Sequence, residues 1–305
     1  MDPNERTTMR LEDKVAIVTG GGQGLGGAMS RIFAREGAKV AIAQRTQEKL
    51  EQTQADIEAA GGDVLAMEVD VSVPEQVESL MEATVERFGG LDILVNNAGI
   101  GLWIPVDEVG EADYDRVMDT NLKGLWMGCH YAVPHMKARG GGAILNISSV
   151  HGIQGGECNT VYAATKGGII GCTKALAAEL APFNIRVNTI SPGAIDVYDT
   201  RERTLAGVKP EFHAELLERF GDQLNPVHQY FQPLDRVGVP DDIAWCAVYL
   251  ASDGAGFVTG QNIAVDGGVT TYLSGAGLER ERIRKKESTT QELKAFVEAH
   301  AAETE

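Results

Sequence analysis

The chain has 305 residues, 43% apolar and 23% charged, with four cysteines, which excludes a mini-protein, a collagen and a disulfide scaffold. Its 27 Lys and Arg against 44 Asp and Glu give a formal charge of −17, so a surface that repels phosphate backbones and anionic lipid is expected, with no nucleic acid or membrane partner. The cysteines form no CxxC pair and no His stands at ligand spacing, so no metal is expected; the polar opening MDPNERTTMRLED and the lack of an apolar run near 18 residues lead to a soluble, cytoplasmic protein.

Short β-branched runs recur along the chain: Lys14 to Val18, Lys39 to Ala43, Val64 to Val69, Leu91 to Val95, Ala143 to Ile147, Arg186 to Ile190 and Asn262 to Val265. They are nearly all apolar instead of alternating, as strands buried on both faces read. Between them, helical periodicity predicts crossover helices over Leu25 to Glu36, Gln47 to Ala60, Pro74 to Phe88, Glu111 to Met136, Val161 to Leu180 and Asp241 to Ala251. Gly37, Gly61, Gly89 and Gly140 follow four of these, where a left-handed residue ends a helix. The expected fold class is α/β, a doubly wound, mostly seven-stranded parallel sheet of Rossmann type in a single domain over residues 1–275. Inside it, about 194–235 is too long for an ordinary loop and reads as a substrate lid. Residues 276–305 form a charged extension in which Thr289 and Glu292 make a capping box before a stripe of Leu293, Phe296 and Val297. Two readings of that extension stay open: a solvated tail, and a helix docking on a neighbouring subunit.

The first predicted strand runs directly into Thr19-Gly20-Gly21-Gly22-Gln23-Gly24-Leu25-Gly26-Gly27 and a helix. Glycines there let the backbone turn sharply and bring a helix N-terminus against a pyrophosphate. Gly22, Gly24 and Gly27 meet GxGxxG, while Gly20, Gly24 and Gly26 meet TGxxxGxG. The residue closing the second strand discriminates between nicotinamide cofactors, since a carboxylate there repels a 2′-phosphate. This chain has Gln44 and Arg45 instead, so NADP(H) is favoured over NAD(H).

Tyr162 and Lys166 are spaced i, i+4 at the start of a predicted helix, so the ammonium can lie near the phenol and favour its ionised form. Ser149 precedes Tyr162 by thirteen residues, at the exit of a predicted strand, the edge of such a sheet where ligands bind. Together with Thr19 to Gly26, Asn96-Asn97-Ala98-Gly99, Asn121 and Pro192-Gly193, this resembles the short-chain dehydrogenase/reductase family over about residues 10–270.

The resemblance implies that Tyr162 is the acid/base and that Ser149 orients and polarises the substrate oxygen. Lys166 would bind the nicotinamide ribose and depress the Tyr162 pKa, and Asn121 would hold a relay water. It further implies cofactor contacts from Gly20, Gly22, Gln23, Gly24, Leu25, Gly26, Gln44, Arg45, Asp70, Val71, Asn97, Ala98, Gly99, Pro192, Gly193 and Ile195. His151, Gln154 and Tyr198 are candidates to border the substrate. After Pro192-Gly193 the chain reads Ala194-Ile195-Asp196-Val197 where the family often places a threonine, leaving carboxamide anchoring to backbone near Ile195. The implied activity is an NAD(P)-dependent alcohol dehydrogenase or carbonyl reductase acting on a ketone or secondary alcohol, as a homodimer or homotetramer. The competing readings are a non-catalytic dinucleotide-binding sensor or scaffold, and an epimerase or dehydratase of the same fold.

Overall fold

The computed structural model describes residues 9–197, 204–221, 224, 232–234, 236–271 and 291–301. Seven parallel strands form one sheet: β1 Val15–Thr19, β2 Lys39–Gln44, β3 Val64–Glu68, β4 Ile93–Asn96, β5 Gly142–Ile147, β6 Ile185–Pro192 and β7 Asn262–Val265, in the order β3-β2-β1-β4-β5-β6-β7. All six neighbouring pairs run parallel, as apolar strands separated by helical crossovers require. The chain reverses its direction of travel across the sheet between β1 and β4, so a crevice opens at their carboxyl ends.

The strands are joined by α1 Gly24–Arg35, α2 Gln47–Ala59, α3 Pro74–Phe88, α4 Glu111–Met118, α5 Gly124–Arg139 and α6 Thr160–Leu180. The helices α3, α5 and α6 bury Leu80, Met81, Cys129, Met136, Ile169 and Leu180 in one core with residues of the strands. Gly37, Gly61, Gly89 and Gly140 all have positive φ, between 79° and 93°, as the helix ends require. The helix expected over Glu111 to Met136 is not continuous. Asp119–Lys123 widens into a turn of π-helix between α4 and α5, a one-residue excess that rotates Asn121 out of α-helical register and buries it.

The chain falls into two compact units. Residues up to Pro192 together with Pro240–Val265 form the Rossmann-type unit, which includes helix α8 Pro240–Ala251 packed on α1. The second unit combines the segment Gly193–Val239 with the residues after Val265. Its helix α7, His213–Phe220, buries Leu216 and Phe220 together with Val208 and Leu224 against Leu293 and Phe296 of α9, residues 291–299. Lys209 N–H donates to His300 O at 3.0 Å, and Val208 makes an antiparallel bridge to Ala301. The stripe of Leu293, Phe296 and Val297 packs on this segment, because neither short amphipathic stretch can bury its apolar face alone. Thr289 lies outside the described residues, as does Tyr198.

Candidate active site

Thr19 ends β1 and its hydroxyl joins two segments of the crevice. It accepts from Asn97 N–H at 3.0 Å and Ala98 N–H at 3.1 Å, and donates to Val95 O at 3.3 Å. Asn97 returns the contact through its side-chain amide, donating to Thr19 O at 2.9 Å and Gly20 O at 3.3 Å. The glycine loop and the Asn97 to Gly99 segment are thus one hydrogen-bonded body. Within it Gly20 has φ +65°, and a Cβ on Gly26 would collide with Gly20 O, so neither position accepts a side chain. Gly22 is packed more deeply than a pyrophosphate contact demands: its carbonyl accepts from Thr53 Oγ1 at 3.1 Å and a Cβ would meet Lys49 O at 2.6 Å, so it seats α2.

The donor set suits a dinucleotide phosphate. Helix α1 begins after Gln23, whose side chain caps nothing, and carries no acidic residue in its first turn, so its positive end faces no competing carboxylate of its own. Gly24 and Leu25 begin that helix. Arg45, just past β2, holds its Nη1 4.0 Å from Asp70 Oδ2, and both side chains are partly exposed. Asp70 also accepts from Ser72 N–H at 2.9 Å and Ser72 Oγ–H at 2.7 Å, while Val71 packs where a Cβ on Gly124 would stand. Gln44 is partly buried at the end of β2, beside Arg45.

The catalytic candidates lie in the same unit. Ser149 follows β5 and Tyr162 lies in the first turn of α6; the two side chains are hydrogen-bonded to each other. Lys166, one turn on, is buried, with Nζ 5.5 Å from the Tyr162 ring centroid and donating to Ile147 O at 2.9 Å. A Cβ on Gly99 would stand 3.6 Å from that Nζ and 3.3 Å from Asn121 Oδ1, so Gly99 borders the cleft these groups share. Asn121 uses its side chain internally: Oδ1 accepts from Ile100 N–H at 2.8 Å, and Nδ2 donates to Ile100 O at 2.9 Å and Thr165 Oγ1 at 3.2 Å. The side chain therefore fixes the loop after β4.

The expectation that Tyr162 sits below the usual phenol range is corrected. Burial raises its pKa, with the Ser149 hydrogen bond pulling it down by less. Burial also drives the Lys166 ammonium down to about 8, since its one carbonyl partner replaces only part of its hydration. His151 is lowered by burial as well and stays neutral at pH 7. Its ring stands edge-on to Tyr162 at 6.1 Å, whereas Gln154 is exposed on the turn beyond it, its N–H bonded to Val150 O at 2.8 Å.

Pro192 closes β6 in the first unit. Gly193 and Ile195 lie in the second, where Ile195 bridges Gly238 and a Cβ on Gly193 would approach Asp266 Cα to 2.6 Å. Three contributors escaped the sequence reading. Ser148 Oγ donates to Lys166 O at 2.8 Å and pins α6. Thr165 supports Asn121, and Trp103 lays its indole 5.6 Å from the Tyr162 ring. Ser148 was visible as one of paired hydroxyls at a strand exit; nothing local marks Trp103 as more than a loop aromatic.

Residues 20–270 match the family model described as enoyl-(acyl carrier protein) reductase. The chain belongs to the short-chain dehydrogenase/reductase family. Among its relatives, 3beta-hydroxysteroid dehydrogenase 1 of Eggerthella lenta is 40% identical over 264 residues, covering 86% of this chain and 95% of that protein. The 3-oxoacyl-[acyl-carrier-protein] reductase FabG of Thermotoga maritima is 37% identical over 261 residues, 86% of this chain and 99% of that one. A crystal structure described as a short-chain alcohol dehydrogenase from Sinorhizobium meliloti 1021 is 36% identical with a TM-score of 0.74, covering 87% of this chain and all of the other. Membership makes this an oxidoreductase family protein and implies a nicotinamide cofactor. No helix among the described residues is long and apolar enough to cross a membrane.

Proposed function

We propose that the protein is an NADP(H)-dependent alcohol dehydrogenase or carbonyl reductase that interconverts a ketone and a secondary alcohol. The observation that carries this reading is the trio of buried Ser149 and Lys166 with half-buried Tyr162: Ser149 and Tyr162 hydrogen-bonded to each other, with Lys166 Nζ over the phenol ring beside Gly99. A nicotinamide cofactor held there would supply or accept the hydride. The glycine-loop amides and the α1 N-terminus would hold its pyrophosphate, with Arg45 and Gln44 at the adenosine end and Lys166 and Asn97 to Gly99 toward the nicotinamide end. A substrate carbonyl oxygen meets two hydroxyls; Ser149 donates a hydrogen bond that orients it, and Tyr162 delivers the proton as negative charge grows on that oxygen. In the oxidation direction Tyr162 Oη takes the alcohol proton. The Lys166 charge favours the tyrosinate against the opposing effect of burial.

Resemblance supports a homodimer or homotetramer acting on a small-molecule carbonyl, and Gln44 in place of a carboxylate at the end of β2, followed by Arg45, supports NADP(H). The test is Tyr162→Phe. Turnover across a ketone panel, followed by NADPH absorbance, falls by at least about 10²-fold while NADPH affinity stays near wild type. Retained turnover removes Tyr162 from the proton step, and tight NADPH binding with no turnover by the wild-type protein on any ketone returns the non-catalytic reading.

A further inference from the structure

The loop after β4 is built to hold one aromatic side chain against the catalytic phenol. Within it, Ile100 is fixed at both backbone N–H and C=O by the Asn121 amide. Leu102 is buried in a small apolar cluster with Val117 and Val161, and Val161 is the residue before Tyr162, so the loop and α6 share one anchor. Between these fixed points Gly101 has no side chain. A Cβ there would collide with Cζ3 and Cη2 of Trp103, so the six-membered ring of the indole occupies the space a side chain on Gly101 would take. That places the indole 5.6 Å from the Tyr162 ring with 30° between the planes, still 63% exposed. A tryptophan held by three neighbouring positions and left with an open face beside a proton-transferring hydroxyl is a stacking surface. His151 also stands beside Tyr162, edge-on at 71° from the phenol plane.

We infer that Trp103 is the specificity-determining residue of this site, and that the substrate class is a flat, ring-bearing ketone or its secondary alcohol, the ring lying on the indole while its oxygen reaches Tyr162 and Ser149. The inference rests on the reductase reading for the chemistry and on Trp103 for the choice of ring over chain. An acyclic aliphatic ketone contacts the indole along one edge of its chain and gains no ring stacking. Gly101 acts through Trp103 as a positioning residue.

The experiment compares indanone with an acyclic nonanone of equal carbon count, by steady-state NADPH oxidation and by calorimetric titration of each ketone into protein with NADP⁺. For Trp103→Ala the indanone to nonanone ratio of kcat/KM falls by about three- to tenfold, with indanone affinity weakened in calorimetry in step. Trp103→Phe keeps most of the ratio because it retains a ring face. Gly101→Val, which leaves the tryptophan in the sequence but fills its seat, lowers the ratio in the direction of Trp103→Ala. Equal loss for both ketones in Trp103→Ala, or no rescue by phenylalanine, overturns the ring subsite while leaving the reductase reading in place. Indanone binding that depends on Trp103 in a protein that reduces no ketone does the reverse: the ring subsite stands and the reductase reading fails.

Discussion

Thr19 offers the sharpest test of how the site is held. Replacing it with valine keeps the branched shape and deletes only the hydroxyl that accepts from Asn97 and Ala98 and donates to Val95. Thr19 is 3% exposed, so water cannot substitute from outside. Two backbone N–H groups and part of a carbonyl lose their partner, each N–H at about 1–3 kcal/mol. Asn97 and Ala98 are only partly buried, which puts both at the lower end and the total at about 2–4 kcal/mol. In a protein of this size that lowers Tm by about 3–6 °C. Because Asn97 also anchors the Gly20 turn, the KM for NADPH rises along with it. Thermal and urea denaturation of Thr19→Val and Thr19→Ser, with cofactor titration of each, measure both effects. Serine retains the oxygen and loses only a methyl group, so it falls nearer wild type. If Thr19→Val costs under about 1 kcal/mol, or serine is as damaging as valine, the hydroxyl is not the tie between the two segments.

Two further outcomes follow from charge. The Lys166 pKa falls from 10.5 in the unfolded chain to about 8 in the fold, so between those pH values the unfolded chain holds a proton that the folded one has released. Stability therefore rises with pH across that window and is lower below it by a few kcal/mol from this group. Lys166→Met is accordingly more stable than wild type at pH 7, the gain closing by pH 10.5, while turnover is lost; denaturation midpoints across this range that show no such closing gap refute the burial argument. Arg45→Ala raises the KM for NADPH by about tenfold and leaves that for NADH nearly unchanged, since the 4.0 Å pairing with Asp70 is a partly exposed contact that a phosphate can displace. Equal effects on both cofactors place the discrimination elsewhere.

Much of this architecture is written in local patterns. Apolar runs such as Val15–Thr19 and Ile93–Asn96 declare buried parallel strands, and the glycines after the helices carry the positive φ their positions demand. The i, i+4 spacing of Tyr162 and Lys166 fixes one helix face whatever surrounds it. The π-turn at Asn121 leaves no local mark because it lies inside one long stretch of helical periodicity, and only the need to reach Ile100 and Thr165 selects the wider turn. The direction of the Tyr162 pKa is not legible in spacing for a related reason: i, i+4 spacing reveals a neighbouring cation but not how much water the fold removes from both groups.

What the sequence determined by itself, then, is the seven strands, most of the helices between them, and the identity of the hydrogen-bonding groups at the carboxyl edge of the sheet, because those depend on periodicity and spacing within a few turns of chain. Tertiary structure alone decided that Thr19 ties the glycine loop to Asn97, that the last helix packs on the lid segment, and that Trp103 faces the phenol. Each of those joins residues far apart in sequence or depends on space left free by a neighbour, and close packing in three dimensions is the only constraint that selects them.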